Sequence, residues 1–152
     1  MAKKSKKPAK IISNRRARYD YELGDSLIAG ISLTGRETKS LRLGHGHLKD
    51  AYVTIKDSEL WLINATITSS SGYTIAPEEQ TRPRKLLVKK RELDAFLKAK
   101  DQGKTIVPLE ILNKGRYIKL RISTGKGKKR YDKRQAIKKR DQERQIKRDL
   151  KY

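Results

Sequence analysis

Cysteine is absent from all 152 residues. That excludes disulfides and thiolate metal sites and fits a reducing cytoplasm. Aromatic residues are scarce, with one Trp, one Phe and seven Tyr. No apolar run approaches the roughly twenty residues needed to cross a bilayer, so no membrane partner is expected. The start, MAKKSKKPAK, is basic but leads into no apolar signal core, so export is not expected. The sequence also lacks the phosphate-cradling G-x-x-x-x-G-K-[ST] pattern. Its two histidines, His45 and His47, are neighbours in one stretch and do not suggest the acid–base pair of a ribonuclease. They form a His-x-His pair with Asp50 nearby, but Gly44 and Gly46 make a loose setting for a metal. A metal-dependent nuclease wants converging carboxylates, and only Asp50, Asp57 and Glu59 cluster. The expectation is a protein that is no enzyme and has no cofactor and no metal.

Acidic residues are few as well: 17 Asp and Glu stand against 39 Lys and Arg, a formal net charge of +22. Such a balance points to nucleic acid or to an anionic surface. Low hydrophobic content implies one compact core with charged extensions. The strongest concentration is residues 125–152, with thirteen basic and four acidic residues. After Gly127 it has neither Gly nor Pro, and its Lys, Arg, Gln, Ala and Glu favour helix. Its apolar residues, Ala136, Ile137, Ile146 and Leu150, make a stripe too thin to dock on a core. The segment can be helical, yet little within the chain is expected to hold it; a long polyanion can. A solvated basic tail that only aids solubility is the plainer alternative.

Between the extensions, Ser26 to Leu33 reads as a buried strand and Arg36 to Leu43 as a short helix closed by Gly44. Asp50 to Lys56 and Glu59 to Ala65 read as a hairpin across Asp57-Ser58, with Trp61 expected to anchor the core. Residues 66–80 read as a loop. The stretch 82–104, with Leu86, Leu87, Leu93, Phe96 and Leu97, carries the clearest helix signal of the body. Thr105 to Leu112 and Arg116 to Ile122 form a second hairpin, with Tyr117, Lys119 and Arg121 on one face and Ile118, Leu120 and Ile122 on the other. Arg15, Arg16 and Arg18 stand beside Tyr19 and Tyr21, a mixture that can grip phosphate and stack on unpaired bases. Glu37 can either order neighbouring Arg side chains or accept hydrogen bonds from base edges. Many strands, short turns and basic faces suit a mainly β fold with short helices: a closed antiparallel barrel of the OB type. The expected organisation is a disordered basic extension over 1–12, the RNA-binding barrel over 13–124 and a basic tail over 125–152.

Several segments, taken in order, resemble the SmpB (small protein B) family: NRRARYDY, AGISLTGRETKSLR, LKDAYV, RPRKLLV with KRELD, and GKGKKRYDKR. The resemblance covers nearly the whole chain after the Lys-rich start. It implies an OB-fold barrel and a C-terminal tail that becomes helical on the ribosome. It further implies a cytoplasmic, monomeric protein that binds the tRNA-like part of transfer-messenger RNA. Such a protein meets alanyl-tRNA synthetase and elongation factor Tu indirectly through that RNA and rescues stalled ribosomes by trans-translation and SsrA tagging. On this reading Asn14, Glu37 and Leu87 fall in the RNA-binding surface of the barrel, supported by Arg15, Arg18, Lys39, Arg42, Arg84 and Lys85. The tail residues Lys126, Lys128, Lys129, Arg130, Tyr131, Asp132, Lys133, Arg134, Lys138, Lys139 and Arg140 would occupy the vacant decoding centre and messenger channel against small-subunit ribosomal RNA. Thr38, Pro83, the Gly44–His47 run and Tyr131 depart from the commoner family pattern; at Tyr131 the contact implied is stacking and hydrogen bonding, not an ionic one. The alternative is a structural, ribosomal-type RNA-binding protein with a basic extension. RNA sequenced from the purified protein is expected to be mainly one abundant small RNA; stoichiometric presence in every ribosome would mark the alternative instead.

Overall fold

The computed structural model of the chain describes residues 11–113 and 115–150. The elements in order are β1 (Ile12–Ser13), α1 (Ala17–Asp20), β2 (Tyr21–Ile31), α2 (Gly35–Arg42), β3 (Gly46–His47), β4 (Tyr52–Lys56) and β5 (Glu59–Ile63). There follow β6 (Thr66–Ile67), α3 (Pro77–Gln80), β7 (Arg84–Leu87), α4 (Lys90–Asp101), β8 (Thr105–Leu112), β9 (Lys119–Gly127) and α5 (Arg130–Asp149). The antiparallel ladder runs β8-β4-β5-β7-β2-β9, and β9 pairs back onto β8, so six strands close into a ring. Strand β1 pairs with β8 at Ile111 and Glu110, while β3 and β6 form a separate pair. The closed barrel expected from the strand pattern is present.

Alternation along each strand builds the core. Leu60 and Leu62 of β5, Leu120 and Ile122 of β9 and Leu86 of β7 are buried together with Ala29, Leu41, Leu48 and Phe96. Asp57 and Ser58 both take positive φ, the twist that a two-residue hairpin needs, and Lys56 faces Glu59 across the turn. Because Leu60 and Leu62 point inward, period two turns Trp61 outward; it is half-buried and not the core anchor expected.

Two bulges shape the barrel. Pro108 cannot donate to a ladder, and the β8–β9 register shifts between Pro108 and Glu110. The carbonyls around this bulge are taken by Asn14: its side-chain N–H₂ donates to Pro108 O at 3.0 Å and its backbone N–H to Leu109 O at 2.7 Å. In β2 the register shifts between Leu23 and Ser26, opposite Ser123 to Gly125. The buried Ser123 hydroxyl lies 3.1 Å from the carbonyls of both Gly24 and Asp25.

Several boundaries differ from those read in the sequence. The basic extension expected through residue 12 ends sooner, because Ile12 pairs with Ile111 and is buried; residues 1–10 fall outside the described residues. Residues 84–87 are strand, not helix: Arg84 and Leu86 face in while Lys85 and Leu87 face out, and helix begins only at Lys90. The segment 66–80 is not simply loop, since it carries β6, a Ser70–Tyr73 bridge and α3. The tail boundary expected at Gly125 lies inside β9. A side chain there would meet Val107 Cγ2 at 3.0 Å and Tyr21 Cβ at 3.1 Å, so Gly125 to Gly127 belong to the barrel and are not a hinge.

The C-terminal segment forms the helix expected of the tail, over Arg130–Asp149. Its residues favour helix, Asp132 sits in the first turn, and Lys147 and Arg148 sit in the last, all favourable to the helix dipole. Gln135 donates to the Tyr131 hydroxyl at 2.8 Å and Gln145 to Asp149 at 3.2 Å, both one turn apart. No residue of α5 is buried. No helix among the described residues is long and apolar enough to cross a membrane.

Candidate nucleic-acid interface

The most constrained polar group of the barrel is Glu37, in the first turn of α2. Thr34-Gly35-Arg36-Glu37 forms a capping box: the Thr34 hydroxyl accepts from the Glu37 N–H at 3.3 Å, and the Glu37 carboxylate accepts from the Thr34 N–H at 2.9 Å. The same carboxylate takes a forked pair from Arg82, at 2.8 and 2.7 Å, and two bonds from Arg84, at 3.1 and 2.9 Å. Glu37 and Arg84 are 1% and 0% exposed. Arg84 also donates to the carbonyls of Ala65, Gln80, Arg82 and Glu79. One carboxylate therefore ties α2 to β7 and, through Arg84, to the ends of β5 and α3.

Burial alone would raise the Glu37 pKa. The Arg82 hydrogen bond, the Thr34 N–H, and the charge and hydrogen bond of Arg84 together outweigh it and hold the carboxyl below its usual value. Burial pulls the Arg84 guanidinium down, and Glu37 opposes that pull. Of the two roles open to Glu37, the geometry provides the ordering of Arg side chains. Neither the Glu37 carboxylate nor the Arg84 guanidinium is free to touch RNA, because burial and saturated hydrogen bonding close both off. Arg82, a third exposed, is the member of the cluster that reaches solvent.

Around this cluster the α2 face is clamped. Arg36 donates to the Thr74 carbonyl at 3.1 Å, and the Lys39 ammonium lies 4.5 Å from the centre of the Tyr73 ring. Arg42 donates to the carbonyls of Asn113 and Arg116 at 2.6 and 3.0 Å, tying the end of α2 to the β8–β9 connection. Beside it lies a groove of about 340 Å³ between β2, β7 and the start of β9. Leu87, 56% exposed, lines it with Thr38, Arg116, Tyr117 and Lys119. Tyr117 is 66% exposed, a flat apolar face flanked by cations that can stack on an unpaired base.

Asn14, Arg15 and Arg18 are not on that surface. Asn14 is half-buried and committed to the β8 bulge, and Arg15 is exposed beside a second groove of about 640 Å³. That groove includes His47, Lys49, Tyr52 and Thr105 in its wall. Arg18 is exposed, and its carbonyl accepts the Lys128 ammonium at 2.9 Å. Lys85 pairs with Glu59 at 2.7 Å, both partly exposed. In the tail, Lys126, Lys129, Arg130, Tyr131, Asp132, Arg134, Lys138, Lys139 and Arg140 are exposed, while Lys128 and Lys133 are half-buried. The barrel residues named from the sequence thus divide between two surfaces. Arg82, Arg116, Tyr117 and Lys119 lie on or beside the first; of these, Arg82 reads in the sequence as a phosphate contact and Tyr117 and Lys119 as one face of a strand, while Arg116 carries no such signal. Period two puts Tyr117 and Lys119 on an outer face, and Thr34-Gly35-Arg36-Glu37 carries the T-x-x-E pattern that could have marked the capping box, but nothing local pairs Arg82 with Glu37. Among the described residues, no group of three or more His, Asp or Glu side chains is placed to hold a metal ion.

A closed antiparallel barrel with a cationic exterior, an exposed Tyr and Leu between Arg and Lys, and a projecting basic helix defines a small nucleic-acid-binding barrel protein. Comparison with known proteins makes this specific. The profile of the SmpB protein family matches residues 11–152, and the chain belongs to that family, a family of RNA-binding proteins and not of enzymes. It is similar to the SsrA-binding protein of Streptococcus suis, 43% identical over 142 residues, covering 93% of this chain and 92% of the relative. It is equally similar to the SsrA-binding protein of Trichormus variabilis, 43% identical over 154 residues and 99% of each chain. A solved chain described as "tmRNA-SmpB: a journey to the center of the bacterial ribosome" matches with a TM-score of 0.66 and 37% identity, covering 84% of this chain and 94% of that one.

The Glu37 cluster has a pH signature. A depressed folded pKa contributes stability that is fully present above the usual carboxylate value of 4.5 and is lost as pH falls below it. The urea midpoint is expected to drop in that acid window, and Glu37→Gln is expected to remove this component of the drop. Glu37→Ala leaves Arg84 buried and uncompensated and is expected to cost about 3–5 kcal/mol at pH 7. A near-neutral Glu37→Ala in urea unfolding would show the cluster to be incidental.

Proposed function

We propose that this chain binds transfer-messenger RNA and acts with it on stalled ribosomes in trans-translation, the barrel holding the RNA and α5 engaging the ribosome. The names of its relatives and of the solved ribosomal complex support this reading. One observation carries the division of labour: α5 is a 20-residue helix with no buried residue, attached to a barrel that is complete without it. A helix with so little apolar surface buries almost nothing against the barrel, and its cations suit an RNA-walled channel.

On the barrel, the groove at Leu87 and Tyr117 takes unpaired bases of the tRNA-like region by stacking, while Lys39, Arg82, Arg116 and Lys119 meet phosphates. Glu37, Arg84 and Arg42 hold that face in shape from behind. Arg15 and Arg18 offer phosphate contacts at the second groove. In the arm, Tyr131 is 69% exposed and one residue into α5, placed to stack on a base of the vacant decoding centre, with the basic residues beyond it following the empty messenger path. Alanyl-tRNA synthetase and elongation factor Tu are met through the RNA; the protein acts as a monomer in the cytoplasm.

A truncation that removes residues 128–152, and so spares β9, is expected to bind transfer-messenger RNA within about twofold of the full chain at moderate salt, since the barrel contacts are intact. The same truncation is expected to abolish tagging of stalled nascent chains. Filter binding and a tagging assay on one preparation read both, and a truncated protein that still supports tagging would overturn the division of labour.

A further inference from the structure

The outer face of the barrel has a gap in its side chains at Gly30, inside the groove of Leu87 and Tyr117. Ala29 is fully buried, so period two points position 30 outward. The register sets Gly30 opposite Leu87 of β7 on one side and Lys119 of β9 on the other. Glycine weakens a strand interior, so its presence there needs a physical reason. Backbone conformation supplies none. Gly30 has no positive φ, and the bulge in β2 lies well before it, between Leu23 and Ser26. Packing inside the protein supplies little. At Gly24 an added Cβ would meet Thr124 Oγ1 at 2.6 Å, and at Gly46 it would meet Leu41 Cδ2 at 2.9 Å and the Thr66 carbonyl at 3.0 Å. At Gly30 its nearest neighbours would all be atoms of Leu87, from 3.1 Å at Cβ to 3.7 Å at Cγ. Leu87 is more than half exposed and can lean away, so a methyl group there would alter the groove more than the fold.

The remaining reason for a glycine in a regular strand is the close approach of something from outside. We propose that Gly30 is a specificity-determining residue for RNA: its missing side chain leaves a slot in which one unpaired base lies against the sheet, between Leu87 and Tyr117, with the neighbouring phosphate at Lys119. This deepens the function proposed above and rests on it. A base offers flat faces, which match the Leu87 side chain and the exposed Tyr117 ring. The Thr38 hydroxyl in the groove wall is already donated to the Thr34 carbonyl at 3.0 Å, and Arg116 and Lys119 are suited to phosphate. The slot therefore grips a base by its faces and reads little of its edge. It selects a nucleotide that is splayed out of a helix, not one particular base.

Gly30→Ala and Gly30→Val separate binding from folding, because the two readouts are expected to move apart. The urea midpoint is expected to hold or rise, since either side chain suits a strand interior better than glycine does. Affinity for transfer-messenger RNA, read by filter binding, is expected to fall about tenfold with alanine and further with valine, the scale of losing one stacked base. In a Tyr117→Ala background, Gly30→Ala is expected to cost less than about twofold, because the base has already lost its stack. Full affinity of Gly30→Val at an unchanged midpoint would overturn the slot. Affinity that falls only in step with the midpoint would make Gly30 a packing residue and overturn it as well. Equal losses with and without the Tyr117 ring would overturn the shared base. Failure of the functional reading itself would show differently, as absence of RNA binding by the unsubstituted chain.

Discussion

A single buried carboxylate meets two guanidinium groups at the centre of this protein's α2 face, and the surface around it depends on that meeting. Glu37 caps α2, receives Arg82 and Arg84 from the chain leading into and along β7, and through Arg84 anchors the carbonyls of Ala65, Glu79 and Gln80. Desolvating three charges is costly, and an apolar cluster of the same shape would serve stability as well. What the ionic arrangement adds is direction: bonds fix the register of a helix against a strand and turn Arg82 toward solvent. The cluster also keeps one positive charge in excess.

Behind this face the barrel supplies rigidity. Six strands close into a ring, and the strands described outside it, β1, β3 and β6, are each two residues long. Rigid walls let an exposed Tyr117 and Leu87 remain beside Arg116 and Lys119 rather than collapse inward. Recognition of a folded RNA by shape needs such a pre-formed surface, because each side chain ordered only on binding subtracts from affinity. The arm follows the opposite logic. It has the local propensity to be helical and almost nothing to bury, so its packing partner lies outside the chain.

Local signals were readable in the sequence. The Asp57-Ser58 turn, the inward Ile118, Leu120 and Ile122, the short helix at α2 and the helical composition of the arm all appear where their periodicity puts them. The resemblance carried in five ordered segments points to the family without any geometry. Pairings set by distant residues were not readable. Arg84 and Leu86 look like the start of a helix until Glu37, 47 residues away, and the two neighbouring strands make Arg84 an inward strand residue. Trp61 looks like a core anchor until the inward turn of Leu60 and Leu62 places it outside. Glu37, read as a site residue, is buried against Arg82 and Arg84, because a sequence shows a charge but not whether its partners are protein or ligand.

The central claim is that Glu37 and Arg84 organise the RNA-facing surface from within and do not change partners when RNA arrives. Hydrogen exchange at the Arg84 Nε–H, followed by NMR in the free protein and in the complex with transfer-messenger RNA, tests this most directly. The account predicts slow exchange in both states, because that N–H is buried against Glu37 Oε1. Fast exchange in the free protein, or protection that disappears when RNA binds, would contradict it.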